Sequence, residues 1–524
     1  LKTFLSALAI TILFFSCTGK RDSESTVDLL PAPSELSGKE LAAIHCARCH
    51  LFVDPSMLPR SSWREDVLPS MGHRLGFYKG EHQPDSLFGR GENAAIIRRA
   101  NVYPETPAMA REDWAKIVAY YLENAPDTIL PPKRNKNITI GLKHFVYKEA
   151  SYANRPAMTT LVKILPSRGI VYGDGKREQG ILTFLTPQLE KSYDLGFAST
   201  PVHLYEKEDS LYLTLSGVGV FPNDLPGGSL QKLSKTGGST TFNAATQVIG
   251  GLQRPVQLAY GDLTNDGLED IVACEYGDLT GSLVWFENKG QNRYSKKVLR
   301  AKPGAITAII KDVNSDGLQD IIVLMAQGDE GVFLYTNKGN GTFTEKKLLA
   351  FSPLNGSLYI ELADFNNDGL DDLIYVSGDN ADRTPFLKPY HGIYIFQNDG
   401  DFNFSESWFY PLNGAYKAIA RDFDLDGDLD IAAISYFPDY VNTPEESFVY
   451  LENKGEMTFQ DYSFPEATRG RWFVMDAADM NGDGDIDLAL GSFVYFEPMG
   501  DTTGLGKRWL REGPSVVVLE NTTR

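Results

Sequence analysis

Residues 46–50 read Cys46-Ala47-Arg48-Cys49-His50. Two thiols three positions apart, followed at once by an imidazole, suit covalent attachment of a porphyrin: the sulfurs take its vinyl groups and the histidine ligates the iron. A thioredoxin-like redox pair would want a βαβ setting, which this stretch lacks. A zinc site would need two further ligands, and His45 and His73 are the only nearby candidates. The motif therefore predicts one c-type haem, held by Cys46 and Cys49, with His50 as proximal ligand.

A second constellation recurs along the chain. It runs Asp262, Thr264, Asp266, Gly267, Asp270; then Asp312, Asn314, Asp316, Gly317, Asp320; then Asp364, Asn366, Asp368, Gly369, Asp372. Two further copies are Asp422, Asp424, Asp426, Gly427, Asp430 and Asp479, Asn481, Asp483, Gly484, Asp487. Successive copies start 50, 52, 58 and 57 residues apart, a period that marks a repeat architecture. Alternate positions aim side-chain oxygens at one point, the glycine permits the reversal, and the last aspartate closes the shell. Hard oxygen donors in this pattern suit Ca²⁺, so up to five ions are expected, with the Thr264 loop the weakest site. Position 12 of each loop, where an EF-hand needs Glu, holds Ala273, Val323, Tyr375, Ala433 or Leu490, which excludes EF-hands. Each closing aspartate instead leads into an apolar strand, such as Ile271-Val272 or Ile431-Ala432. This pattern resembles the FG-GAP or VCBS repeat of the calcium-binding blades in integrin α-subunit propellers.

A strand marker counts the blades. Gly281-Ser282-Leu283-Val284-Trp285-Phe286-Glu287-Asn288 recurs at 331–337, 392–398, 447–453 and 515–521, with degenerate copies at Gly228-Ser229-Leu230 and Gly180-Ile181-Leu182. Seven copies imply one closed, all-β, seven-bladed propeller, integrin α-like in its repeats. The last copy lacks a following strand, and residues 142–148 have the character to supply it and pin the ring shut. The first two blades lack calcium loops. Arg155, His203, Arg254, Tyr416, Lys417, Arg471 and Trp472 enter innermost strands and are expected to ring one channel mouth, where an anion, glycan or protein could bind.

Around the cysteine motif the reading is helical. Residues from Ser37 open a helix that runs into it, and residues 111–124 carry Trp114, Ile117, Val118, Tyr121 and Leu122 as one apolar stripe, ended by Pro126. The pair resembles a class I cytochrome c, a small all-α domain in which the two helices cross near a glycine; Gly38 is placed for it. That resemblance implies a methionine distal ligand. Met71 lies in Leu68-Pro69-Ser70-Met71-Gly72-His73-Arg74-Leu75-Gly76, similar to the stretch found in haem domains fused to repeat propellers, and is the expected ligand. Met109 is the alternative, with Met57 and His73 behind it.

The apolar run from Phe4 to Phe15 has signal-peptide length, and Ser16-Cys17 resembles a lipoprotein lipobox with Cys17 as the lipidated residue. The expected organisation is a lipoprotein signal at 1–17, a tether at 18–36, the cytochrome domain at 37–126, a linker at 127–137 and the propeller at 138–524. A formal net charge of −19 argues against nucleic acid. These features predict a lipid-anchored cell-envelope protein (periplasm or outer membrane) that transfers electrons to or from a redox partner, its only membrane link the lipid. Two other readings are a propeller dehydrogenase feeding its own haem and an adhesion or glycan-binding module. No nucleophile triad or dinucleotide loop points to a catalytic residue.

Overall fold

The computed structural model describes residues 31–131, 137–176, 179–381, 384–498 and 501–524. The expected signal segment, Cys17, most of the tether and residues 132–136 of the linker lie outside the described residues.

The N-terminal part is helical. Ser37 caps the helix Gly38–His45 reciprocally: its Oγ accepts from the Glu40 amide, and the Glu40 carboxylate accepts from the Ser37 amide at 2.9 Å. The helix Arg111–Asn124 buries Ile117 and Tyr121, with Trp114, Val118 and Leu122 packed beside them. The two helices cross at Gly38, where a Cβ would lie 2.2 Å from the Lys116 carbonyl oxygen. Only glycine allows that approach. Between them run the short helices Leu68–Arg74, Pro84–Phe88 and Gly91–Arg99, which carry no long apolar stripe. No described helix is long and apolar enough to cross a membrane.

Most of the rest is β-structure in seven sheets, with an α-helix, Leu505–Glu512, in the connection before the last strand. Blade one is built from Thr159–Leu165, Gly169–Lys176, Gln179–Leu185 and Lys191–Phe197, in order from the channel outward. Blades two to six repeat that order, beginning at Pro201, Pro255, Ala305, Ser357 and Ala415. Blade seven takes Trp472–Ala478, Asp487–Ser492 and Val516–Asn521 from the C-terminal end and Phe145–Glu149 from the segment after the helices. The predicted closure therefore holds. Phe145 sits 5.7 Å from Phe423 and 5.4 Å from Tyr450, so an aromatic contact fastens it. Thr139–Ile140 adds a strand that the sequence did not reveal, parallel to Phe459–Ser463 of blade six.

In blades three to seven the second strands are buried along their full length, which explains their unbroken apolar runs. The innermost strands expose one edge to the channel, and side chains from the neighbouring blade satisfy parts of it. Gln257 bonds the amide and carbonyl of Ala308 at 3.0 and 3.2 Å. Asp476 accepts from the Ile164 amide at 2.8 Å, and Lys417 donates to the Met475 carbonyl at 2.9 Å.

Because strands alternate in direction, loops from first to second strand leave one face of the ring and loops from second to third leave the other. The repeated aspartate loops lie on the first face. The helical part sits on the opposite face. Leu354 and Phe386 pack into its core, Leu279 packs beside Phe88 and Ile97, and Thr384 Oγ1 meets Ser62 Oγ at 3.0 Å. Asp224, fully buried, accepts from the amides of Asp278 and Thr280 and from the Thr280 hydroxyl, while its own amide donates to Asn93 at 2.7 Å. One residue thus ties blade two, blade three and the helices together.

Glu330 links blades four and five on the same face, accepting from the Ser357 amide and hydroxyl. Burial raises its carboxyl to about 8, against those opposing bonds. Unfolded, the group titrates near 4.5, so the unfolded chain sheds its proton first and stability falls as pH rises from 4.5 toward 8. Glu330→Gln removes that dependence. Its urea midpoint is expected to match wild type at about pH 5 and exceed it at about pH 8.5; equal midpoints at both pH values would contradict the assignment.

Candidate functional site

The helix Gly38–His45 ends directly in the motif, with Cys46 as its C-cap. Cys46 is half-buried against Tyr121 and Cys49 is exposed; both thiols are free. Burial pushes the Cys46 thiol up, with the Tyr121 hydroxyl opposing it. His50 Nδ1 is 2.7 Å from the Leu51 carbonyl oxygen, which fixes the ring and leaves Nε2 as its other nitrogen. Ile44 and Leu51 flank the motif at 50% and 44% exposure, an apolar surface beside the two sulfurs. The donor set and its apolar surround fit a covalently held porphyrin. Of the methionines, Met109 is buried in the helical core at 3% exposure and Met57 packs against that core. Met71 is half-buried on the helix Leu68–Arg74. His73, two residues on, stacks on Tyr78 and His82 at 5.8 and 5.4 Å.

The five aspartate loops join first to second strands in blades three to seven. Their internal wiring is nearly the same. In loops one to four the first aspartate receives the amides of positions five and six; in loop two, Asp312 accepts from Asp316 at 3.2 Å and Gly317 at 2.9 Å, whereas in loop five Asp479 accepts from Gly482 and Gly484. The fifth receives the amide of position seven, as Asp316 does from Leu318 at 2.9 Å. This folding brings the side chains of positions one, three and five together. In loop four, Asp422, Asp424 and Asp426 place carboxylate oxygens within 4.8 Å of one another. In loop one the buried Thr264 Oγ1 has no hydrogen-bond partner, an oxygen left over for a cation. These donors fit a hard cation such as Ca²⁺.

The closing aspartates have a further task that the spacing did not reveal. Asp270, Asp320, Asp372, Asp430 and Asp487 are fully buried. Each accepts the amide of loop position two and the amide of the marker asparagine; for Asp270 these are Leu263 at 3.2 Å and Asn288 at 2.7 Å. The asparagine returns the bond, Asn288 donating to the Glu269 carbonyl at 3.0 Å. In two blades it also reaches the preceding blade: Asn337 donates to Leu263 and Asn521 to Phe423, both at 2.8 Å. Burial pushes Asp430 and Asp487 up to about 6. His144, on the closing segment, stands 3.2 Å from Glu452 and 4.0 Å from Asp424 of loop four. Burial disfavours ionisation of Glu452, yet Lys143, Lys454 and His144 outweigh it and hold its carboxyl down at about 2.

The expected channel mouth needs one correction. Trp472 is fully buried in the core between blades six and seven and donates to the Ala467 carbonyl at 2.8 Å. Its neighbour Arg471 packs 3.7 Å over Tyr436, and Tyr416 lies 4.7 Å from Phe473. Adjacent strand residues point to opposite sides, so only one of the pair can face the mouth. Arg254 donates to the Gly277 carbonyl at 3.0 Å, and Arg155 is exposed. His203 lies within the channel, where burial and then Lys163 and Lys417 push its imidazole down to about 4.

Sequence reasoning also missed loop position four, which is left-handed in every copy: Asn265, Ser315, Asn367, Leu425 and Gly482 have φ of 57°, 58°, 57°, 61° and 84°. Leucine is the misfit, since a left-handed residue with a Cβ costs roughly 1–2 kcal/mol that asparagine partly avoids. Leu425 is 38% exposed, so little burial is lost by replacing it. Leu425→Asn is expected to stabilise the chelator-treated protein by about 1 kcal/mol in denaturant titration; a loss of stability would contradict this account of the loop.

Residues 312–375 match the family described as FG-GAP-like repeat, a segment running from loop two into the second strand of blade five. The chain is 25% identical over 267 residues to cartilage acidic protein 1 of Mus musculus, covering 49% of this chain and 39% of that protein. It is 24% identical over 218 residues to a T-cell immunomodulatory protein homolog of Plasmodium falciparum (isolate 3D7), covering 38% and 29%. The chain thus spans 39% or less of the length of these relatives. Among solved structures, the N-terminal domain of Nup159 matches with a TM-score of 0.41 at 12% identity, over 73% of this chain and 97% of that one. The β-rich part of this chain is a seven-bladed propeller that contains an FG-GAP-like repeat.

Proposed function

We propose that the protein is a cell-envelope c-type cytochrome whose propeller is a calcium-stabilised scaffold and docking module. The observation that carries this reading is the motif at the end of the first helix: two reachable thiols, and an imidazole whose Nδ1 is held by a backbone carbonyl. Cys46 and Cys49 would anchor the haem and His50 would ligate its iron. When bound, the haem supplies a one-electron couple. The chain's own residues orient that couple: Gly38 sets the helix crossing, Tyr121 packs on Cys46, and the Leu51 carbonyl fixes the His50 ring. Met71 is the proposed distal ligand and Met109 the alternative.

Among the described residues the helical part meets the propeller through Met57, Ser62, Phe88 and Asn93, while Ile44 and Leu51 beside the cysteine motif are exposed. The apolar surface formed by Ile44 and Leu51 is therefore open to a redox partner. Calcium in the five loops would offset carboxylate repulsion on the opposite face and stiffen the ring. Lipidation at Cys17 would tether the protein to a membrane while leaving both faces free.

The test is a reduced pyridine haemochrome spectrum of protein exported with c-type maturation machinery. A c-type α-band is expected, abolished in Cys46→Ala/Cys49→Ala. The oxidised protein should show the far-red methionine–iron band, lost in Met71→Ala and kept in Met109→Ala; the reverse assigns the ligand to Met109. Absence of any covalent haem would overturn the proposal.

A further inference from the structure

On the helix-bearing face, blades one and two part to form a cleft of about 520 Å³. Phe197, Leu215 and Val218 supply its apolar wall, and Ser229, Gln231 and Gln247 its polar wall. Among the described residues no charged side chain lines it, on a chain of net charge −19. Gln231 and Gln247 stand directly opposite each other on the third and fourth strands of blade two, so both carboxamides share one side of the sheet. Gln231 Nε2 donates to Ser229 Oγ at 3.0 Å, which leaves its carbonyl oxygen as an acceptor. Gln247 makes no side-chain hydrogen bond among the described residues.

Exposed aromatic surface adjoins this cleft. The connection that supplies Val218 also carries Phe221, and Asn223 Nδ2 donates to the carbonyls of both, at 2.8 and 3.0 Å. Phe221 meets Tyr495 of blade seven edge-on at 4.8 Å. Val218, Phe221, Tyr495 and Phe496 are 57%, 45%, 37% and 57% exposed, an apolar patch that the fold itself does not bury.

We propose that this cleft binds a neutral saccharide, its hydroxyls paired with the carboxamide and hydroxyl wall and its C–H face laid on the aromatic patch. Carboxamides both donate and accept, as sugar hydroxyls require. Among the described residues the cleft has no cationic side chain to hold an anion and no carboxylate to hold a cation, and its amide wall is wasted on a purely apolar ligand. The site uses outer strands of two blades, not the channel mouth, and is independent of the haem.

Affinity electrophoresis of the full exported chain through gels containing a β-glucan, a galactomannan or a xylan tests the proposal, with alginate as the anionic control. At least one neutral polysaccharide is expected to retard the protein, and alginate is not. No atom lies within 4 Å of the position a Cβ would take at Gly196, on the cleft wall, so Gly196→Leu fills the cleft without a clash. Gly196→Leu and Phe221→Ala are each expected to weaken retention about tenfold or more, with Gly196→Ala close to wild type and all melting points unchanged. No retardation by any of the three neutral polysaccharides, equal retardation by alginate, or retention unaltered in both variants would overturn the proposal.

Discussion

A carboxylate locked between two backbone amides is the interaction on which this structure most depends. In five blades the last aspartate of the loop is withdrawn from water and bonded to the loop behind it and the marker asparagine beside it. A buried carboxylate is costly unless its lone pairs are occupied. Here the partners are backbone groups that would otherwise be orphans at the edge of a tight loop. Loop geometry and blade packing are thereby one constraint: the loop cannot open without exposing the carboxylate, and the third strand cannot slip without losing the asparagine. Where the asparagine also grips the preceding blade, the constraint passes around the ring.

The ring in turn sets what the two faces can do. In blades three to seven the connections from first to second strand carry the acidic donors. Connections from second to third strand are longer in blades two, five, six and seven, and their face bears the helices, the aromatic mouth and the uncharged cleft. Asp224 shows how closely the second face is integrated, since its carboxylate and amide serve three units at once. The closing strand Phe145–Glu149 follows the helices in sequence, so the chain that leaves the helical part is the one that completes the ring. His144 and Lys143, just before that strand, reach Glu452 beside loop four. Ring closure and the most acidic loop share partners.

Much of this was legible because it is local or periodic. The helix Arg111–Asn124 follows from one apolar stripe, the crossing at Gly38 from one glycine, and the blade count from a marker repeated seven times. Closure followed from a strand missing at one end and spare at the other. What stayed hidden depends on tertiary partners. The marker asparagine served to count blades, but its bond to the closing aspartate joins residues 17 to 34 positions apart. Left-handed position four is filled by Asn, Ser, Leu or Gly, so no residue type announces it. Trp472 looked like a rim residue because it neighbours Arg471, and strand alternation turned it into the core. The short helices between residues 60 and 99 bury only one or two residues each against surroundings that the sequence alone does not supply.

The central claim is that one chain carries a single covalent haem on the helical part and calcium in the propeller. Native mass spectrometry of the exported protein, before and after chelation, tests it most directly. The account predicts one haem per chain that survives denaturation, and up to five calcium ions that chelation removes and added calcium restores. A chain that lacks either group after export with the maturation machinery, in calcium-containing buffer, would contradict it.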